Sequence, residues 1–194
     1  VGMGLLFDSL FGIDYHLGIT VAIFLIMLYT YLGGYTTIEW TDFFQGSFLL
    51  LIIMLVPALA YQKSGGLEAI RLAAESKDVA LTLFPETSFK AFLQIILIAA
   101  GWGLGYFGQP HILSKFMGIK NADNIHKSKY IGMTWHVLSL SSATAVGFVG
   151  LAFFSGSLEN PELIFSEMVQ DLFPPIIAGF ILCAVFAATI STVD

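Results

Sequence analysis

The sequence predicts an all-α integral membrane protein, and three observations carry that expectation. Of 194 residues, 57% are hydrophobic and only 11% charged, against the roughly 25% charged residues of water-solvated domains. The mean hydropathy is +0.83. The apolar runs are about 20 residues long, the length a helix needs to cross a hydrocarbon core of ~30 Å, and none alternates in period two as membrane-barrel strands do.

Five segments qualify as membrane-spanning helices: about 16–35, 43–61, 89–108, 132–155 and 174–194. Residues 1–8 (VGMGLLFD) read as the tail of an earlier helix. The connections are then 36–42 (TTIEWTD), about 62–88, about 109–131 and about 156–173. Within the second, GGLEAIRLAAESKDVA at 65–80 combines good helix formers with alternating charge and predicts a short surface helix outside the bilayer. All five spans form one membrane domain. The chain opens on Val1 without initiator Met, basic leader or cleavage site, and closes on Asp194 directly after AGFILCAVFAATISTV. Both ends read as cuts, so an internal piece of a longer protein is expected.

Basic residues divide evenly between the two sides, Lys115, Lys120, Lys127 and Lys129 against Lys63, Arg71, Lys77 and Lys90. Because only Asp123 opposes the lysines of 109–131, that connection leans cytoplasmic. The net charge of −6 is spread over short connections and points to no nucleic-acid partner. Cys183 has no second cysteine to pair with inside the chain. His16, His126 and His136 lack metal-ligand spacing, and no nucleophile–base pair, paired intramembrane carboxylates or phosphate-binding loop is present. An enzyme reading has no site to rest on.

The stretch GWGLGYFGQPH at 101–111 follows the apolar run AFLQIILIAA and concentrates the poorest helix formers in the chain. Gly103, Gly105 and Gly108 match a dinucleotide fingerprint, but the βαβ unit that motif requires is absent. Gly101 and Gly105 match a small-residue face on which membrane helices approach closely. A third reading is a broken helix somewhere within 101–108. Freed backbone groups at membrane depth are tolerated only against protein or a wet cavity, and such breaks build substrate sites in secondary transporters.

GWGLGYFGQPHILSKFM, together with GGYTTIEWTDFFQ at 33–45 and AATIST at 187–192, resembles, block by block and in order, the proline-carrying branch of the solute:sodium symporter family. The resemblance implies a LeuT-like fold of inverted five-helix repeats, of which this chain holds the fourth to eighth core helices, one of them broken. It implies sodium-coupled uptake of L-proline by alternating access, in a lipid-embedded, multi-pass protein of a bacterial inner membrane. Sodium is the co-transported ion. It assigns proline recognition to Trp102, Tyr106 and Pro110, with Gly105 and Gln109 beside them in the break. It assigns sodium coordination to the Ala188 carbonyl and the Ser191 and Thr192 hydroxyls, and sodium passage to Asp42. Glu39 departs from the family pattern, which has a small polar residue there, and Lys115 stands where arginine is found.

The residues carry a case of their own beside this. No charged side chain falls within 91–110, which suits recognition of a zwitterion by backbone dipoles and an aromatic wall. Ala188, Ser191 and Thr192 share one helical face and offer the neutral oxygens a hard cation takes. Blander roles stand open for each. Trp102 fits an interfacial belt, Ser191 and Thr192 fit hydroxyls bonded to their own helix, and Asp42 fits a helix N-terminal acid favoured by the macrodipole. His111 and Lys115 fit anchors near headgroups. Two rival functions remain: a sodium symporter for another small carboxylate, such as pantothenate or a monocarboxylate, and a transporter-like sensor domain of a membrane kinase.

Overall fold

The computed structural model describes residues 2–82, 88–119, 121–154, 156 and 160–191. Its regular elements are all helical: α1 (Gly2–Phe11), α2 (Tyr15–Lys63), α3 (Gly66–Ser76), α4 (Phe89–Phe107), α5 (Pro110–Met117), α6 (Ile125–Phe153), α7 (Ile164–Leu172) and α8 (Pro175–Ser191). Short 3-10 turns at Ala122–Asn124 and Pro161–Leu163 lead into α6 and α7. Three helices among the described residues are long and apolar enough to cross a membrane, at Tyr15–Lys63, Phe89–Tyr106 and Ala122–Phe153, with a shorter apolar helix at Pro175–Thr189.

The first two expected spans and the connection between them form one helical run, so residues 36–42 are helix and not a link. Asp14 starts it, its carboxylate accepting from the amides of His16 (3.0 Å) and Leu17 (3.2 Å). At 49 residues and ~1.5 Å rise, α2 is about 74 Å long, more than twice a hydrocarbon core. It is not continuous in geometry. Gly34 has φ 62 and ψ −173, a conformation essentially confined to glycine, and divides the run into 15–33 and 35–63. A Cβ at Gly34 would meet no atom within 4 Å among the described residues, so the requirement is conformational and not one of space. The Thr37 hydroxyl donates to the Gly33 carbonyl across the kink (2.7 Å), satisfying an oxygen that lipid could not.

The remaining boundaries moved as well. Residues 109–131 contain α5 and the first turns of α6, which begins at Ile125 and not near 132. The 156–173 connection contains α7. The surface helix expected at 65–80 forms at Gly66–Ser76, with an Arg71–Glu75 ion pair (3.2 Å) on its exposed face.

The chain divides into two compact units, Val1–Ile70 with Leu138–Asp194, and Arg71–Val137. The first has a core of Ile52, Val56 and Ala60 from α2, Val146 and Val149 from α6, Met168 and Val169 from α7, and Ala178, Ile181, Leu182 and Ala184 from α8. Glycine permits some of its contacts. A Cβ on Gly18 would lie 2.6 Å from the Phe7 Cβ, so α1 and α2 meet only because none is there. Lys63 ties helix ends together, its Nζ donating to the Asp171 carbonyl (3.0 Å) and lying 5.5 Å from the centre of the Phe153 ring. In the second unit α4 buries no residue, and its side chains from Phe92 to Tyr106 are exposed.

Candidate functional site

Ser88 starts α4 by accepting from the Ala91 amide (3.2 Å). The helix then runs regularly through Gly101, Gly103 and Gly105 to Phe107. The interruption is Gly108–Gln109, so of the expected window 101–108 only the last residue lies outside the helix. Proline explains the position. The missing N–H and the ring of Pro110 are incompatible with continuing onto the Tyr106 carbonyl four residues back. The chain instead closes two tighter bonds, Gly108 N–H to Gly105 O (3.0 Å) and Gln109 N–H to Tyr106 O (3.5 Å). Glycine alone costs a helix only about 0.5–1 kcal/mol per residue, too little to break a ladder whose neighbours hold.

Pro110 then opens α5, where its lack of an amide does no harm. The Gln109 carbonyl accepts from the amides of Ile112 (3.2 Å) and Leu113 (3.3 Å). The carbonyl end of α4 and the amide end of α5 therefore meet at Gln109, the one carrying partial negative and the other partial positive charge. Trp102 and Tyr106 are four residues apart on one face of α4, with 70% and 41% of their surface exposed. Gly105 sits on the turn between them, and a Cβ there would meet nothing within 4 Å among the described residues. All five expected substrate residues thus lie on one continuous stretch of the second unit. The close-packing reading of Gly101 and Gly105 finds no neighbour among the described residues. One contact was not foreseen: His136 of α6 stands edge-on to Tyr106, ring centres 6.4 Å apart at 84°.

The expected ion residues belong to the first unit. Ala188 is half-buried near the end of α8, and Ser191 is the last residue of that helix. The Ser191 side chain and Thr192 lie outside the described residues. The nearby Thr189 hydroxyl bonds its own helix at the Val185 carbonyl (2.9 Å). Asp42 is half-buried on α2, about two turns past the Gly34 kink. The helix-start role open to it in the sequence falls away, because the second segment of α2 begins at residue 35. Around it Trp40 stacks on Phe44 (5.9 Å, 25°), and a hollow of ≈320 Å³ is lined by Glu39, Trp40 and Phe43. Thr30 Oγ1, Glu39 Oε1 and Gln45 Oε1, which flank the kink, are buried without a hydrogen-bond partner among the described residues. In the sequence Thr30 stood unmarked, Gln45 entered only as the end of the block at 33–45, and Glu39 only as a departure. The Gly33-Gly34 pair was the available signal.

A helical membrane protein with a proline-terminated, aromatic-faced helix and buried acceptor oxygens beside a glycine kink has the makings of a solute carrier. The family model described as Sodium:solute symporter family matches residues 1–194, and the chain belongs to that family, one of transporters and not of enzymes. It is 40% identical over 197 residues to sodium/proline symporter 2 of Staphylococcus saprophyticus, and 40% identical to the sodium/proline symporter of Staphylococcus aureus. Each alignment covers 100% of this chain and 38% of the relative, so the chain spans well under half the length of the curated relatives it matches. No solved structure matches it.

Proposed function

We propose that the chain forms part of a sodium-coupled symporter that carries L-proline into a bacterial cell by alternating access across the inner membrane. The observation that carries this reading is the 40% identity to sodium/proline symporters, extending over the whole chain. The geometry at Gly108–Gln109 supports it. Proline is a compact ring bearing a carboxylate and a secondary ammonium. The amide end of α5 suits the carboxylate, the carbonyl end of α4 suits the ammonium, and Trp102 and Tyr106 offer the ring an apolar wall. Pro110 and Gln109 hold that junction, and Gly105 leaves the backbone between the aromatics bare.

For sodium we propose the Ala188 carbonyl with the Ser191 and Thr192 hydroxyls, and a path past Asp42. The buried, acceptor-only oxygens of Glu39 and Gln45 support a cation route beside the kink, since each is a neutral or anionic ligand without a proton donor. The architecture proposed with it is the fourth to eighth core helices of a LeuT-like fold, with α2 counted as two at Gly34. One sodium moved through 100 mV releases ~2.3 kcal/mol, enough for roughly fifty-fold accumulation.

The test is proline uptake into proteoliposomes holding the complete protein, with and without an inward sodium gradient. Sodium-dependent accumulation of proline is expected. Equal proline uptake at both sodium levels would remove the coupling. Uptake of pantothenate or a monocarboxylate in place of proline would reassign the substrate, and sodium-coupled binding without translocation would favour the sensor. In the same assay Thr192→Ala should raise the sodium concentration for half-maximal uptake several-fold with insertion unchanged. An unaltered sodium dependence would take Thr192 out of the ion site.

A further inference from the structure

We propose that His136 is a positioning residue of the substrate site, holding the Tyr106 ring against which the transported zwitterion packs. The inference rests on the role proposed for Tyr106 and extends it to a residue on another helix. Three observations carry it. The two rings meet edge-on, centres 6.4 Å apart and planes at 84°, inside the range in which aromatic pairs attract beyond their area burial. Over 121–138 His136 alone is partly covered, every other described residue being exposed. It also stands where α6 passes from a start bearing Lys127 and Lys129 into its long apolar stretch, and an ionisable side chain entering such a stretch is costly and is retained for a task.

The consequence is mechanical. Tyr106 is 41% exposed, and on its own face of α4 it has Trp102 one turn back and, at Gly103, no side chain to brace its other flank. A ring free to rotate about χ1 and χ2 must be ordered each time substrate binds, which lowers affinity. A partner ring at right angles removes that freedom beforehand. His136 acts through Tyr106 and need not touch the substrate.

The test is proline affinity and turnover of the complete protein in proteoliposomes under a sodium gradient, with insertion measured alongside. His136→Ala should raise KM about two- to tenfold, the span expected from losing one aromatic pair, with kcat little changed. His136→Phe, which keeps a ring, should recover most of that loss. In a Tyr106→Leu background His136→Ala should add nothing to the proline Kd at saturating sodium. Should His136→Ala fail to insert, His136→Gln removes the ring while keeping a polar group and is read the same way. An unchanged KM, or the same fold-change with and without the Tyr106 ring, overturns the role of His136. Native protein that carries no proline overturns the proposed function instead, a separate result visible before any variant is made.

Discussion

The two units differ in whether any described glycine is required by the fold. In the unit built on α2, α7 and α8, Gly46, Gly147 and Gly179 stand in helix with open space where a Cβ would be, but others mark places where the chain itself is crowded or bent. Gly18 leaves space for the Phe7 Cβ, and Gly34 takes up φ 62 and ψ −173 that other residues avoid. On α4 of the other unit, Gly101, Gly103 and Gly105 all stand in regular helix with open space where a Cβ would be. Gly18 and Gly34 are needed for the fold. The α4 glycines cost the fold a little and are explained by nothing that the described residues pack against them. Such a bare stripe suits either of two uses, close approach of a substrate to backbone or close approach of another membrane helix.

The comparison breaks most visibly at the core. Met168 is fully buried between α7 and its neighbours, so Met168→Ala should cost about 2–5 kcal/mol, as large-to-small changes in packed cores do. Leu97→Ala, on the uncovered α4 at 62% exposure, should change stability by no more than about 0.5 kcal/mol. Unfolding midpoints in detergent for the pair decide the matter. Equal losses would mean that α4 is packed after all.

Next comes the kink. Gly34→Ala should destabilise by about 1–3 kcal/mol, since the side chain must be forced into a region reserved for glycine. Space is not the obstacle, so Gly34→Ala and Gly34→Ser should cost the same. A cost that rises with side-chain volume would show that crowding, and not backbone geometry, fixes the residue.

Binding effects follow in size. Trp102→Ala should weaken sodium-dependent proline binding by about 1–3 kcal/mol, the usual range for truncating an aromatic anchor, while Tyr106→Phe, which keeps the ring, should cost less. Coupling is reciprocal, so sodium should tighten proline by the factor by which proline tightens sodium. Equilibrium binding at high and low sodium measures both. Loss of binding for Tyr106→Phe alone would move the contact from the ring to the hydroxyl.

What could be read from the sequence follows a physical line. The all-helical membrane class, the start of α4 near Ser88 and the surface helix α3 depend on composition, capping and local periodicity, and these were legible. The stretch 36–42 was not, because the glycine kink just before it leaves helical residues on both sides and mimics a connection between spans. The residues proposed for substrate stood out as one stretch, and the break expected within 101–108 falls at its last position, Gly108. Pro110 disrupts the bond to a carbonyl four residues before it, and the glycines do not. Two features were out of reach. The burial of Met168 and Val169 depends on a hollow that α2, α6 and α8 make together, and IFSEMVQDL read alone looks like a polar connection. The pairing of Tyr106 with His136 joins residues thirty apart, and no local pattern signals it.

The smallest expected effect separates the two uses of glycine most cleanly. Gly105→Ala should stabilise α4 by about 0.5–1 kcal/mol, because alanine loses less conformational entropy in a helix and the new methyl meets open space. The same change at Gly18 should destabilise, its methyl driven to 2.6 Å from the Phe7 Cβ. If the bare surface at Gly105 serves the substrate, the added methyl also blocks close approach, and proline affinity falls as stability rises. A stability gain set against a functional loss is the pattern expected where activity needs a locally unfavourable residue. Unfolding midpoints and proline Kd for both variants give four numbers of predicted sign. A lower midpoint for Gly105→Ala would mean that a neighbouring helix packs there and would return the stripe to helix association. A higher midpoint with unchanged proline affinity would leave Gly105 outside the site while keeping Trp102 and Tyr106 within it.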